Sequence, residues 1–197
     1  MVATRNPGKI RELRALLEGL GYEILSLDHY PSIPPVEEKG ETFEENALEK
    51  ARAAARFTGE MALADDSGLE VDALGGAPGV RSARFGGEDL SDAQRNRLLL
   101  ERLKGVPMEE RRARFRCVIA LVTPRGEEYV VEGACGGYIA MEPEGGHGFG
   151  YDPIFYLPSY GRTMAQIPPE EKNKISHRAR ALAKIRVILE KLAGRGS

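Results

Sequence analysis

The chain lacks long apolar runs and an apolar leader. It has 197 residues, and none of its windows approaches the roughly 20 apolar residues that a membrane-spanning helix needs. Arg5, Lys9 and Arg11 come so early that no apolar signal segment precedes them. From these two absences we expect a cytoplasmic protein that has no membrane partner.

A strong net charge and a rich supply of cysteine are also missing. The 28 basic and 30 acidic side chains leave a formal charge of -2, so no global basic field favours nucleic acid as a partner. Cys117 and Cys135 are too few for a zinc cluster and form no Cys-x-x-Cys motif. Although they would face each other across a predicted hairpin, we expect free thiols in a reducing compartment.

Ordinary globular composition is what remains, with 42% hydrophobic and 29% charged residues. We predict one domain over residues 1–197, with two lobes and no independent second domain. Apolar periodicity predicts a mixed α/β fold. The expected helices begin near 7, 42, 91 and 176, a short helical turn begins at 168, and the expected strands are 22–27, 61–64, 69–74, 112–123, 128–141 and 154–157.

Two adjacent acids stand out after one predicted strand. Residues 61–64 are apolar or small and lead into Asp65 and Asp66, then Ser67 and Gly68. We expect the strand to stop at the acids, since open α/β sheets build sites at the carboxyl ends of strands. Adjacent acids repel, so this placement suits a bound cation. A solvated Asp-Ser-Gly turn is the other interpretation, and both stay open on this stretch alone.

The first helix begins in a polar loop. Asn6 suits the N-cap position and Pro7 the first helical position. Gly8 and Lys9 follow, so the loop could bind an anion through the helix N-terminus, or it could be an ordinary capped helix. It is not a Walker A loop, because Ala3 and Ile10 occupy positions where that motif needs glycine and a hydroxyl.

The remaining polar signals are weaker one by one. Asn46 and Lys50 lie four residues apart beside an apolar helix face, where a lysine usually only extends to solvent unless it has a partner. Phe149 and Tyr151 flank a glycine and could sandwich a flat ring. A histidine and an arginine in the first turn of the last helix, at 177 and 178, oppose the helix dipole and therefore favour a site.

Six motifs occur in an order that resembles the inosine/xanthosine triphosphate pyrophosphatases, and the resemblance covers essentially the whole chain. No motif is specific alone. The six are Thr4-Arg5-Asn6-Pro7-Gly8-Lys9, Thr42-Phe43-Glu44-Glu45-Asn46-Ala47, Ala64-Asp65-Asp66-Ser67-Gly68-Leu69, Gly76-Ala77-Pro78-Gly79, Phe149-Gly150-Tyr151-Asp152-Pro153 and Ser176-His177-Arg178.

The resemblance implies an elongated, two-lobed α/β homodimer with a mixed central sheet flanked by helices and an active-site cleft between the lobes. It also implies Mg²⁺-dependent hydrolysis of ITP, dITP and XTP to the monophosphate and pyrophosphate, which cleanses the nucleotide pool. Glu38 and Asp66 would bind the metal, Asp66 would accept a proton, and Lys50 would lie against the phosphates. The predicted substrate contacts are Thr4, Arg5, Asn6, Pro7, Gly8 and Lys9 at the phosphates, Ser67, and Phe149, Gly150, Tyr151, Asp152, Lys172, His177 and Arg178 at the nucleoside end.

Two departures and two alternatives accompany this resemblance. Only three residues precede Thr4, so the first strand is expected to be clipped, and Arg5 stands where a small residue is common. The alternative functions are a related pyrophosphatase for modified pyrimidine nucleotides and a nucleotide sensor without catalysis. The role of Asp65, as second metal ligand or structural group, stays open.

Overall fold

A computed structural model of the chain describes residues 1–194 and shows five α-helices and five β-strands within them. The helices are α1 Pro7–Leu17, α2 Phe43–Thr58, α3 Asp92–Arg102, α4 Pro169–Ile175 and α5 His177–Ala193. The strands are β1 Ala62–Val71, β2 Arg112–Val122, β3 Glu128–Ile139, β4 Phe155–Leu157 and β5 Arg162–Thr163. The predicted α/β class is therefore confirmed.

The five strands form one sheet in the order β1-β2-β3-β4-β5. The pairs β3–β4 and β4–β5 are antiparallel, with Tyr156 opposite Tyr138 on one side and Thr163 on the other. Val2 adds parallel bridges to Ser26 and Leu63. Parallel and antiparallel pairing both occur, as the sequence predicted.

Local capping chemistry sets where three helices begin. The Asn6 side chain accepts the N–H groups of residues 8 and 9 at the start of α1. Thr42 and Ser91 begin α2 and α3 with complete capping boxes. Gly59 ends α2 in the left-handed conformation, with φ of 70°. These helix starts were all predicted.

One predicted strand is absent, and two others are parts of one strand. Residues 22–27 form no strand: Ser26 makes one bridge to Val2, and Leu27–His29 is a 3-10 turn. A longer ladder has no partner there, because residues after Ala3 enter the capping loop of α1. Residues 61–64 and 69–74 are not separate strands either, because β1 runs without interruption through both acids.

The chain forms two compact units, each made of separate stretches. Unit 1 contains residues 1–66, 117–133 and the stretch from Arg178 onwards; unit 2 contains 67–116 and 134–177. Strands β1, β2 and β3 each pass from one unit to the other along the chain. The single-domain assignment and the cleft between lobes stay predictions.

Each unit has its own apolar core. In unit 1, α1 and α5 pack on β1 and β2 through buried side chains that include Leu13, Leu63, Ile119, Leu182 and Ile185. In unit 2, buried residues of β1, α3, β2, β3 and β4 meet, among them Leu69, Leu99, Phe115, Ile139 and Phe155. Burial on this scale stabilises each unit by roughly 1.5–3 kcal/mol per large apolar side chain.

Two compositional expectations can be compared with the structure. Among residues 1–194, no helix is both long and apolar enough to cross a membrane. Cys117 and Cys135 are buried free thiols, as predicted.

Candidate active site

The start of α1 is a tightly capped turn. Asn6 Oδ1 accepts the N–H of Gly8 at 2.9 Å and that of Lys9 at 3.1 Å, and Thr4 Oγ1 accepts the N–H of Asn6 at 3.1 Å. The predicted N-cap role of Asn6 is thus confirmed. Positive potential at this end comes from the helix dipole and the Lys9 ammonium. Arg5 in the preceding loop and Pro7 at the start of α1 are exposed. Anion binding by this loop stays a prediction.

Asp65 lies within β1, only 2% exposed, and faces cations. Its Oδ2 is 3.0 Å from Lys9 Nζ, and 3.1 and 3.3 Å from Nη2 and Nε of Arg178. Burial alone would raise the pKa of Asp65, but Lys9, Arg178 and Lys50 outweigh it and hold the pKa well below its usual range. Asp65 therefore remains a buried carboxylate anion.

Asp66 is 5% exposed and has different neighbours. Its Oδ1 is 3.5 Å from Lys50 Nζ, and Oδ2 accepts a hydrogen bond from Asn46 Nδ2 at 3.0 Å. Burial raises the pKa of Asp66 and the nearby Glu38 adds to this effect, while Lys50 opposes it; the net shift is upward. The same carboxylate type thus has opposite pKa shifts at two adjacent positions, which is how proteins assign different roles to paired acids.

Lys50 is the common partner of Glu38 and Asp66. Its Nζ donates to Glu38 Oε1 at 2.7 Å and to the Asp65 carbonyl oxygen at 2.8 Å, besides its contact with Asp66. Burial alone would lower the pKa of Lys50, but the surrounding carboxylates raise it. Lys50 therefore does not simply extend to solvent, because it has carboxylate partners. It forms a charged cluster with Glu38 and Asp66.

Asp65 and Asp66 do not form the solvated turn that was the alternative interpretation of this stretch. A turn would place Asp65 and Asp66 in water, but both are buried within a continuous strand. The strand tolerates them because Lys9, Arg178 and Lys50 compensate their charges. The predicted site at a strand's carboxyl end is accordingly displaced to the middle of β1.

Arg178, in the first turn of α5, contacts two carboxylates. It is 2% exposed, contacts Asp65, and its Nη1 donates to Glu12 of α1. These partners offset the unfavourable helix-dipole position that the sequence revealed. Burial would lower the pKa of Arg178, but Asp65 and Glu12 are among the groups that raise it. Glu12 was missed in the sequence, where it is an unremarked acid beside apolar positions.

His177 belongs to unit 2 and is buried there. Its ring stacks on Phe115 of β2, with centroids 4.7 Å apart and planes inclined by 14°. Ser67, the first residue of unit 2 in β1, is half-buried. The structure therefore groups His177 with the aromatic residues of unit 2 and Arg178 with the charged cluster of unit 1.

The aromatic loop of unit 2 has one buried and one accessible ring. Tyr151 is 5% exposed and donates its hydroxyl to the Ser82 carbonyl at 2.8 Å. Phe149 is only half-buried. Lys172 Nζ lies 4.8 Å from the Phe149 ring centroid, within cation–π range. Phe149 is therefore the more accessible of the two rings that could stack on a flat ligand.

Asp152 fixes this loop. Its Oδ2 accepts the Phe149 N–H at 2.9 Å and lies 2.6 Å from Lys172 Nζ, with both charged side chains buried. A Cβ at Gly148, where φ is 78°, would lie 2.0 Å from the same carboxylate oxygen. Only glycine fits this close approach, so the glycine-rich sequence before Phe149 has a steric cause.

Two residues of α3 that the sequence analysis missed hold the next peptide. Asp92 Oδ2 accepts the Gly150 N–H at 2.7 Å, and Asn96 Nδ2 donates to the Gly150 carbonyl at 3.0 Å. The only local signal was the polar start of α3 after Ser91, which does not reveal a contact 54 or 58 residues away.

The described residues offer a pair of acids for a cation, rather than a larger cluster. Within residues 1–194, no three His, Cys, Asp or Glu side chains come together as a metal-binding group. Glu38 and Asp66 share Lys50 Nζ, so this ammonium group compensates part of their negative charge in this structure.

These features define a mixed α/β protein whose buried acids and lysines suit a charged ligand with a cation. The chain belongs to the Ham1 family, whose profile matches residues 1–188. The resemblance inferred from the six motifs is therefore confirmed.

Individual relatives agree along nearly the whole chain. A dITP/XTP pyrophosphatase of Desulforamulus reducens is 55% identical over 98% of this chain and 96% of its own length. One of Geobacter sulfurreducens is 57% identical over 93% and 92%. The solved structure of a HAM1 protein from Coxiella burnetii matches with a TM-score of 0.88 and 45% identity, covering 96% of this chain and 97% of that one.

Proposed function

We propose that this protein hydrolyses the deaminated purine nucleotides ITP, dITP and XTP to the monophosphate and pyrophosphate, and so cleanses the nucleotide pool. The proposal depends on one observation: a chain 55% identical to a dITP/XTP pyrophosphatase carries a Glu38–Lys50–Asp66 cluster in which Asp66 is buried and the other two side chains are half-buried. The enzyme class is a nucleoside-triphosphate pyrophosphatase.

The cofactor of this proposal is Mg²⁺, held by Glu38 and Asp66. Mg²⁺ typically takes one or two carboxylates, with water and substrate phosphate oxygens completing its shell. A pair of acids around one ammonium group fits that requirement, and a third protein ligand is not needed. When bound, Mg²⁺ would supply positive charge against the developing pyrophosphate.

Asp66 is the proposed proton acceptor. A water molecule attacks the α-phosphorus, its oxygen forms the new P–O bond, and the bond to the leaving pyrophosphate breaks. The proton released by the water passes to an Asp66 carboxylate oxygen. The raised pKa of Asp66, caused first by burial, makes this carboxylate a stronger base than an exposed aspartate.

The triphosphate carries about four negative charges, and the chain must supply cations for it. Lys50 and Lys9 are proposed for this role, together with residues 4–8, which form the loop before α1 and its first residues. Lys9 contacts Asp65, which holds its ammonium group in place. Asp65 is proposed to hold these cations and not the metal, since its carboxylate faces Lys9 and Arg178.

For the base, we propose Phe149 as the stacking ring and Lys172 as a hydrogen-bond donor to the 6-keto group. A donor there disfavours adenine, which has an amino group at that position. Rejection of GTP would depend on the 2-position, by crowding or by an unpaired amino group. The other proposed contacts in unit 2 are Ser67, Gly150, Tyr151, Asp152 and His177; Arg178, in unit 1, is proposed through its family position.

Assembly and location complete the proposal. A homodimer is proposed from the family resemblance, and light scattering coupled to size exclusion would measure it. A cytoplasmic location is supported by the two free thiols, Cys117 and Cys135, which suit a reducing compartment.

A substrate panel tests the proposal. Purified protein with Mg²⁺ should release pyrophosphate from ITP, dITP and XTP far faster than from ATP or GTP, and a chelator should stop the reaction. Equal rates on all five would refute the specificity. Faster cleavage of modified pyrimidine nucleotides, or tight ITP binding without pyrophosphate release, would instead favour one of the two alternative functions.

A further inference from the structure

Asn46 uses both ends of its side-chain amide inside unit 1. The side chain belongs to α2 and is 1% exposed. Its Nδ2 donates to Asp66 Oδ2 at 3.0 Å, and its Oδ1 accepts the Gly40 N–H at 2.8 Å. Its Nδ2 also lies 3.5 Å from the Gly40 carbonyl oxygen. Asn46 therefore pairs with the Gly40 peptide while it orients the Asp66 carboxylate.

The contact with Gly40 links the two proposed metal ligands. Gly40 follows Glu38 by two residues in the same loop, so the position of this peptide constrains the loop that carries Glu38. A Cβ at Gly40 would lie 2.7 Å from Asn46 Oδ1 and 2.8 Å from Glu45 Cβ. The absence of a side chain at Gly40 is what allows the loop to approach α2 so closely.

The chemistry of the site restricts which side chain can do this. Position 46 needs a donor toward the Asp66 carboxylate and an acceptor toward the Gly40 N–H. An aspartate would offer no donor and would add negative charge, and an apolar side chain would leave the partly buried Gly40 N–H without its acceptor. Asparagine provides both groups in a short, neutral side chain.

We propose that Asn46 is a positioning residue that sets the arrangement of the Glu38 and Asp66 carboxylates and thereby tunes the affinity of the site for a divalent cation. The proposal rests on the proposed function, because it concerns the same two carboxylates. Carboxylates that bind metals are commonly held by such hydrogen bonds, and removing one costs about 10- to 100-fold in metal affinity or activity.

The test measures cation binding directly, with Mn²⁺ alone titrated into the full-length protein and free Mn²⁺ followed by electron paramagnetic resonance. Asn46→Ala removes the donor and the acceptor together. Gly40→Ala leaves Asn46 intact but forces the loop away from it. Both variants should bind Mn²⁺ about 10- to 100-fold more weakly than wild type. In ITP hydrolysis, both should need correspondingly more Mg²⁺ for half-maximal rate, with kcat largely restored at saturating Mg²⁺.

Thr42→Ala is the matched control on the same helix. Thr42 caps α2 by accepting the Glu45 N–H at 3.1 Å, so its loss weakens the helix without touching Asp66 or Gly40. This variant should lower the melting temperature but keep the Mn²⁺ affinity of wild type.

Two results would overturn the inference. Wild-type Mn²⁺ affinity in both Asn46→Ala and Gly40→Ala would show that Asn46 does not position the carboxylates. Equal loss of affinity in Thr42→Ala would show that helix stability, not the Asn46 contact, controls the site. Failure of the proposed function is distinguishable, because wild type itself would then neither bind Mn²⁺ nor release pyrophosphate from ITP.

Discussion

Replacing Asp65 by asparagine should destabilise the protein strongly at pH 7. Asp65 Oδ2 lies 3.0 Å from Lys9 Nζ and 3.1 Å from Arg178 Nη2, and its side chain is fully buried. The substitution leaves a buried arginine without this counter-ion, although Glu12 remains. Removing one partner of a buried ion pair costs roughly 3–5 kcal/mol. We therefore expect the free energy of unfolding to fall by about this amount.

The pH dependence has a definite sign. Since the pKa of folded Asp65 is below the unfolded value of about 3.9, its stabilisation is complete above that pH and is lost as pH falls through the folded pKa. The difference in free energy of unfolding between wild type and Asp65→Asn should thus become smaller below about pH 4. Urea denaturation followed by circular dichroism across this range measures it.

The adjacent aspartate provides the control. Burial raises the pKa of Asp66, so folding disfavours its charged form. The free energy of unfolding of Asp66→Asn should therefore lie within about 1 kcal/mol of the wild-type value. Asp66→Asn should nevertheless lose turnover, and this loss would not be due to unfolding. If Asp65→Asn unfolded within about 1 kcal/mol of wild type at pH 7, or if the gap did not change with pH, the assigned role of Asp65 would be refuted.

Three further predictions address other parts of the two units. Lys50→Met should lower kcat for ITP by about 10²- to 10³-fold. Burial raises the pKa of Asp66 and Lys50 opposes this rise, so removing Lys50 should raise the pKa further and move the acidic limb of the pH–rate profile to higher pH. Gly148→Ala should raise KM for ITP about tenfold or more, since the new Cβ would displace Asp152. Burial raises the pKa of Cys117 to about 12, so iodoacetamide at pH 8 should leave this thiol unmodified in folded protein.

Each of these predictions has a control and a contradicting result. An unchanged pH profile in Lys50→Met would separate Lys50 from Asp66. Gly126→Ala introduces the same type of backbone strain in the β2–β3 turn, with φ of 84° and open space around the new Cβ, and should leave KM unchanged. Equal KM effects in both glycine variants would remove the Asp152 explanation. Alkylation of native Cys117 as fast as in urea would contradict its burial.

Local chemistry made the helix starts predictable from the sequence. Asn6, Thr42 and Ser91 cap helices through groups within three residues of themselves, so the sequence contains each complete interaction. The strand 22–27 failed for the opposite reason, because a strand exists only when a partner pairs with it, and here Val2 supplies one bridge.

The site was predictable in its residue types but not in its pairings. Asp65 contacts Arg178 from 113 residues away, and Asp66 meets Asn46 and Lys50 from 20 and 16 residues away. Without those partners, two consecutive acids indicate the end of a strand. With them, the acids are tolerated inside a buried strand, which is why the predicted boundary at Asp65 was wrong.

Long-range pairing also separated residues that are neighbours in sequence. His177 stacks on Phe115 in unit 2, while Arg178 binds carboxylates in unit 1. Asp65 and Asp66 point to different cations because side chains alternate across a strand. The sequence alone could not assign a role to Asp65, because that role depends on the alternation of side chains along β1 and on the helices that pack against each face.

Hydrolysis of ITP in ¹⁸O-labelled water tests the central proposal most directly. Attack on the α-phosphorus puts the label in inosine monophosphate and leaves pyrophosphate unlabelled, and mass spectrometry of the two products reads this out. Wild type should give that pattern, and Asp66→Asn should give no measurable product. Label in pyrophosphate, or release of inosine diphosphate with inorganic phosphate, would contradict the account.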